Sequence, residues 1–211
     1  MKYQTIEFDK IDIHLHSLRD KQQFSDPDGV AESLGISSSL WPIFGVIWPS
    51  SLVMSHFLLD YEYHDKRILE VGCGIGLASL LLNHLHADIT ATDFHPAAEG
   101  FLDKNVLLNE DGKIPFFLTD WREINTELGL FDLIIGSDLL YEDEHALLLA
   151  AFMERHANKQ CNIILVDPSR GRIGKFCKKM TSFGFSHVKT KPTETSYLNR
   201  PFLGNIFEFN R

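Results

Sequence analysis

Four carboxylates, Glu70, Asp93, Asp120 and Asp138, each follow a short apolar run in a chain of 211 residues. If those runs are parallel strands, all four side chains stand at the carboxyl ends of one sheet, where open α/β sheets hold their ligands. A carboxylate there accepts hydrogen bonds from hydroxyls and amines and attracts positive charge. The first run leads into Glu70-Val71-Gly72-Cys73-Gly74-Ile75-Gly76-Leu77. Glycines at such a turn permit positive φ and let a ligand approach main-chain atoms that a Cβ would cover. The spacing departs from the dinucleotide loop, Gly-x-Gly-x-x-Gly or Ala, which needs a small residue where Leu77 stands. Glu70, two residues before the first glycine, also opposes a pyrophosphate, so the pocket suits a cationic ligand better.

Glu-x-Gly-x-Gly-x-Gly after a strand resembles motif I of the class I S-adenosylmethionine-dependent methyltransferases, whose cofactor carries ammonium and sulfonium charges. Three further elements are similar to the family 16 protein lysine methyltransferases: Trp48-Pro49-Ser50, Asp120-Trp121, and Asp138-Leu139-Leu140-Tyr141. Enzymes that methylate adenine or side-chain amides carry Asn/Asp-Pro-Pro-Tyr/Phe at the last of these places, and this chain has no Pro-Pro there. The resemblance covers roughly residues 44–177. It implies cofactor contacts from Trp48, Glu70, Gly72, Cys73, Gly74, Gly76, Asp93, Phe94, Asp120, Trp121 and Ser137, with Asp138 and Tyr141 on the catalytic side. Asp93, 21 residues beyond Gly72, would accept the ribose hydroxyls, or would instead cap the next helix. Asp120 would accept from the adenine amino group and Trp121 would offer an aromatic face, unless it only covers a strand end. Trp41 and Trp48 either plug the core or close over the cofactor. Arg170 and Arg172 either hold an acidic substrate group or are solvated.

The elements that must position these residues can be read from periodicity. Residues 67–71, 88–92, 114–119, 130–136 and 161–166 read as strands, alternating with helices that begin near Pro49, Leu77, Pro96, Asp143 and Ile173. Two closing strands, 185–191 and 205–209, complete the expected fold. It is an α/β, Rossmann-like, seven-stranded class I methyltransferase sheet, with helices on both faces and an antiparallel last strand. Residues 3–17 alternate about Asp9-Lys10 as a hairpin would, and residues 19–29 read as a loop. The expected organisation is therefore an N-terminal extension of hairpin and loop, 1–40, and a methyltransferase domain, 41–211.

Composition narrows the partners. The net charge of −9 disfavours a long grip on a phosphate backbone and is compatible with small molecules or basic protein segments. No apolar run is expected to reach the roughly 20 residues that span a bilayer, nor does the start resemble a signal peptide. A cytoplasmic location is expected from that start, and Cys73, Cys161 and Cys177, an odd count with no Cys-x-x-Cys pair, favour reduced thiols over disulfides or zinc. His14 and His16 share a strand face but lack a third ligand, so no metal is expected.

The expected activity is methyl transfer from S-adenosylmethionine to lysine side chains of a protein. A lysine amine must first lose its proton, and an apolar channel near Trp48 and Tyr141 would disfavour the ammonium, with Asp138 orienting the amine. Arginine would need stronger acidic help. The competing readings are a small-molecule or protein arginine N-methyltransferase, and a cofactor-binding module without activity. Target, number of methyl groups and oligomeric state are not legible in the sequence.

Overall fold

The structure, a computed structural model, describes residues 1–20, 22–124 and 126–211. Among the described residues nine strands and six helices follow one another as β1 (Lys2–Phe8), β2 (Ile11–Ser17), α1 (Val30–Ser33), α2 (Pro49–Leu59), β3 (Arg67–Val71), α3 (Leu77–His84), β4 (Asp88–Asp93), α4 (Ala98–Leu108), β5 (Phe116–Leu118), β6 (Phe131–Ser137), α5 (His145–His156), β7 (Ala157–Asp167), α6 (Ile173–Ser182), β8 (Ser186–Thr190) and β9 (Asn205–Asn210). A 3-10 turn, Trp41–Gly45, precedes α2.

β3 to β9 form one sheet in the order β5-β4-β3-β6-β7-β9-β8. β3, β4, β5, β6 and β7 pair in parallel, and β9 runs antiparallel to both β7 and β8. This is the expected sheet with its antiparallel last strand. The strands buried on both faces read as nearly continuous apolar runs because helices cover each side. Successive residues divide between the faces with period two. Ile68, Leu133, Ile135, Ile164 and Val166 meet α2, α3, α4 and the hairpin strand β2. Leu69, Val71, Ile134, Ile163 and Leu165 meet α5 and α6. From β3 the chain turns outward to β4 and β5, then returns to β3's other side as β6. The carboxyl ends around this reversal form the crevice.

Most element boundaries fall within two residues of the sequence reading, and three features depart from it in ways with a physical cause. β5 begins only at Phe116, because Pro115 has no N–H for the ladder. β7 starts at Ala157, and a bulge between Phe131 and Leu133 absorbs its extra length. The apolar stretch Trp41–Leu59, 19 residues, does reach a spanning length, contrary to expectation. It is divided into the 3-10 turn and α2 with extended backbone at Trp48 between them. Val53, Met54 and Leu58 of α2 are buried in the core, which is where this apolarity goes.

The hairpin pairs β1 and β2 about Asp9 and Lys10, as expected. It is not a separate appendage. Ile13 and Leu15 are fully buried in the main core, and the His14 and His16 N–H groups donate to Asn109, the C-cap of α4, and to Asn105 within it, at 2.8 and 2.7 Å.

Candidate functional site

Loops after β3, β4, β5 and β6 wall a cavity of about 690 Å³ at the reversal of strand order. Gly72, Cys73, Gly74, Asp93, Phe94, Asp120, Trp121, Ser137, Asp138, Tyr141 and Trp48 all line it. Sequence reasoning named every one of these. It also named Glu70 and Gly76, which do not line the cavity.

Glu70 is 3% exposed and accepts hydrogen bonds from Ser79 N–H, at 2.9 Å, and from the Ser79 hydroxyl. Residue 70 shares the face of Ile68 beneath α3, so its carboxyl satisfies a first-turn N–H of that helix. Burial pushes its pKa up to about 7 against the pull of the Ser79 hydrogen bonds. Gly76, at φ 77°, is the residue before α3, and a Cβ there would lie 2.5 Å from Leu102 Cδ1. Both residues build the turn from outside the cavity lining. Gly74, at φ 55°, is different: a Cβ would stand 2.9 Å from the Phe44 carbonyl, on the cavity wall.

Asp93 holds the loops together. One carboxylate oxygen accepts the Gly74 N–H at 2.7 Å and the other the His95 N–H at 2.8 Å. Burial raises its pKa and these hydrogen bonds oppose the rise. It does not cap α4, whose N-cap is Ala97. The Asp120 carboxylate accepts the Arg122 N–H at 2.9 Å, and Arg122 also pairs with Glu144 on the rim. Trp48 Nε1 donates to the Ile43 carbonyl at 3.0 Å, while Trp41 does not reach the cavity.

Asp138 sits in the left-handed region at φ 55°, which Asp tolerates better than most residues. Its two oxygens meet Arg170 Nε and Nη2 at 2.8 and 2.9 Å in a bidentate pair. Arg170 lines the cavity, and Arg172 pairs with Asp143 at 2.9 Å. Neither arginine is simply solvated. Tyr141 lies edge-on to His145, with ring centroids 4.5 Å apart. Burial first, then the Asp93, Glu142 and Asp138 carboxylates, push its phenol up to about 12, so it remains an O–H donor at neutral pH.

Two parts of the wall went unread in the sequence. Leu34, Gly35, Ile36 and Leu40 of the N-terminal segment line the cavity beside Ile43 and Phe44. His95 stacks on Phe44 at 4.0 Å, and burial lowers its pKa to about 4. No local pattern marks such packing between distant segments; the one available signal was that His95 follows Phe94 at a strand tip. Polar ligand groups have partners to find here, because His95 Nε2 and Thr119 Oγ1, both from lining residues, are buried without a hydrogen bond. Glycines that admit close approach, aromatic faces and an anchored carboxylate fit an adenosine-bearing cation. Among the described residues, no group of three His, Cys, Asp or Glu side chains is arranged to hold a metal. The cysteines are free, with Cys73 and Cys161 buried.

Known proteins share both sequence and fold with this chain. A profile described as lysine methyltransferase matches residues 37–183. The protein-lysine methyltransferase METTL21E of Bos taurus is 31% identical over 134 residues, 57% of this chain and 45% of the relative. The electron transfer flavoprotein beta subunit lysine methyltransferase of Mus musculus is 28% identical over 141 residues, 63% of this chain and 54% of the relative. The chain thus spans about half the length of these curated relatives. Magnesium protoporphyrin IX methyltransferase from Synechocystis superposes with a TM-score of 0.58 at 22% identity, covering 77% of each chain. The 16S rRNA N2 G1207 methyltransferase of T. Thermophilus does so at 0.63 and 15%, covering all of this chain and 50% of that one. These two share the fold. With the profile spanning more than half its length and the strand-tip carboxylates Asp93, Asp120 and Asp138 gathered in one cavity, the chain belongs to the lysine methyltransferase family.

Proposed function

We propose that this protein transfers a methyl group from S-adenosylmethionine to lysine side chains of a protein substrate. The observation that carries the reading is the convergence on one cavity of the glycine loop and Asp93 with Asp138, Tyr141 and Trp48. The first pair suits the cofactor and the second set suits an acceptor amine.

Gly72, Cys73 and Gly74 offer main chain to the cofactor, Asp93 its ribose, and Phe94, Asp120 and Trp121 its adenine; Ser137 lies at the β6 end of the same wall. When bound, the cofactor supplies an electrophilic methyl group on a sulfonium. The protein's own residues must then align the amine and hold it unprotonated, since in-line transfer needs a free lone pair. Trp48 and Tyr141 supply an apolar surround that disfavours the ammonium. Asp138 orients the amine, but its charge is already engaged by Arg170. A bare carboxylate would stabilise the ammonium, whereas the guanidinium beside it opposes that charge. Three unpaired thiols suit a reducing compartment, and we place the enzyme in the cytoplasm on that ground.

Incubation with methyl-labelled cofactor and cell lysate, followed by hydrolysis of the labelled protein, tests the reading. Label recovered as methylated lysine is expected. Label in arginine or in small metabolites would overturn the substrate class, and no transfer to any acceptor would favour a silent binding module.

A further inference from the structure

Charge is unevenly distributed along this chain. Residues 168–193 carry seven of its 20 Lys and Arg and none of its 29 Asp and Glu, within a protein of net charge −9. They fold as the turn after β7, α6 and the edge strand β8. β8 pairs with β9 on one side only, and all five of its residues are exposed. Lys189 lies opposite Phe207, whose side chain belongs to the α6 face of the sheet, and it is close enough to Cys177 of α6 to act on that thiol. Lys179 lies over the Phe183 ring at 4.4 Å. Among the described residues, Lys175, Lys178, Lys179 and Lys189 stand in no ion pair.

This cationic strip runs to the cavity. Lys191 Nζ donates to the Leu203 and Gly204 carbonyls at 2.7 and 2.9 Å, and the Leu203 carbonyl also accepts from Ser169 Oγ at 3.3 Å. The next residue, Arg170, is part of the cavity wall. Lysines on an edge strand commonly repel a second sheet, which would account for Lys189 and Lys191. Edge protection does not explain three lysines on α6, nor the absence of any acid from the whole stretch.

We propose that α6 and the free edge of β8 are a docking surface for an acidic, extended segment of the protein substrate, leading its acceptor lysine to the cavity at Arg170. The proposal rests on the lysine methyltransferase reading above. An extended segment can pair with the open N–H and C=O groups of β8, and acidic side chains on one of its faces meet the lysines. Elsewhere the remaining 13 basic residues face all 29 acidic ones, so such a segment is repelled from other surfaces. That same excess opposes a nucleic acid, whose phosphates continue beyond the strip.

Fluorescence anisotropy with a labelled peptide of alternating Glu and Val tests this, with a thymidine oligonucleotide of equal charge beside it. The peptide is expected to bind at low salt and to weaken as salt rises. The triple variant K175E/K178E/K189E, at three exposed lysines, should bind it at least about tenfold less tightly, while S-adenosylhomocysteine still raises its melting temperature as in the unaltered protein. No peptide binding, equal binding by the variant, or an oligonucleotide that binds as tightly would each overturn the surface. Absence of any S-adenosylhomocysteine effect on the unaltered protein would instead strike the methyltransferase reading, and the surface with it.

Discussion

At the scale of single residues, Glu70 and Asp138 show how carboxylates near the ends of two neighbouring strands take different roles. The Glu70 carboxyl is buried with a pKa near 7 against a usual value of 4.5, so the folded state holds its proton more tightly than the unfolded chain. Stability from this group is therefore greatest at low pH and declines as pH rises from about 4.5 to about 7. Glu70→Gln keeps an oxygen for Ser79 and has no charge to bury. Between pH values of about 5 and 8, urea unfolding should show the variant gaining on the parent by up to about 3 kcal/mol; a constant difference would mean that burial does not govern this group. Asp138 instead lines the cavity with both oxygens paired to Arg170. Removing that guanidinium with Arg170→Met should let the acceptor ammonium settle on Asp138, raising the amine's pKa by about one unit and lowering turnover near neutral pH about tenfold. KM should not rise, and turnover should recover at alkaline pH. An unshifted pH profile would reduce Arg170 to a structural tie. The sequence located both carboxylates. It did not show that residue 70 shares Ile68's face under α3, because strand-tip position is legible without knowing which face a residue takes.

At the scale of elements, most strands and helices were legible because their apolar periods are long and glycines or prolines bound them. Pro49 opens α2, and the Asp9-Lys10 turn centres the hairpin, as their types require. The hairpin's attachment was not legible, since it depends on two asparagines 89 and 95 residues along the chain from their partners. Asn105 is fully buried and accepts the His16 N–H, whereas Asn109 makes the equivalent contact in exposed surroundings. Asn105→Ala leaves a buried N–H without a partner and should cost about 1–3 kcal/mol. Asn109→Ala, where water can substitute, should cost well under that. Equal losses in urea unfolding would show that the hairpin docks through its apolar face alone, through Ile13 and Leu15. The same dependence on distant contacts hid Leu34 to Leu40 from view as part of the cavity wall, for that segment is turn-rich and carries no pattern pointing to a ligand.

At the scale of the whole molecule, the cavity draws on both ends of the sequence order: the N-terminal segment, the glycine loop, the strand tips and Arg170. A ligand filling it must therefore join parts that otherwise open separately, and its binding energy adds to global stability. S-adenosylhomocysteine at about 100 times its dissociation constant should stabilise the protein by roughly 2.7 kcal/mol. For a chain of this length that corresponds to a rise in melting temperature of roughly 5–10 °C. NAD should give none, because Leu77 occupies the place of the dinucleotide loop's third small residue and the Ser79 N–H in the first turn of α3 is already taken by Glu70. Asp93→Asn separates anchoring from recognition: its amide oxygen can keep one backbone N–H bond while the charge is lost. A reduced shift with S-adenosylhomocysteine and little change in the unliganded melting temperature would assign the carboxylate to the ligand. An undiminished shift would leave Asp93 as the tie between the Gly74 and His95 loops alone.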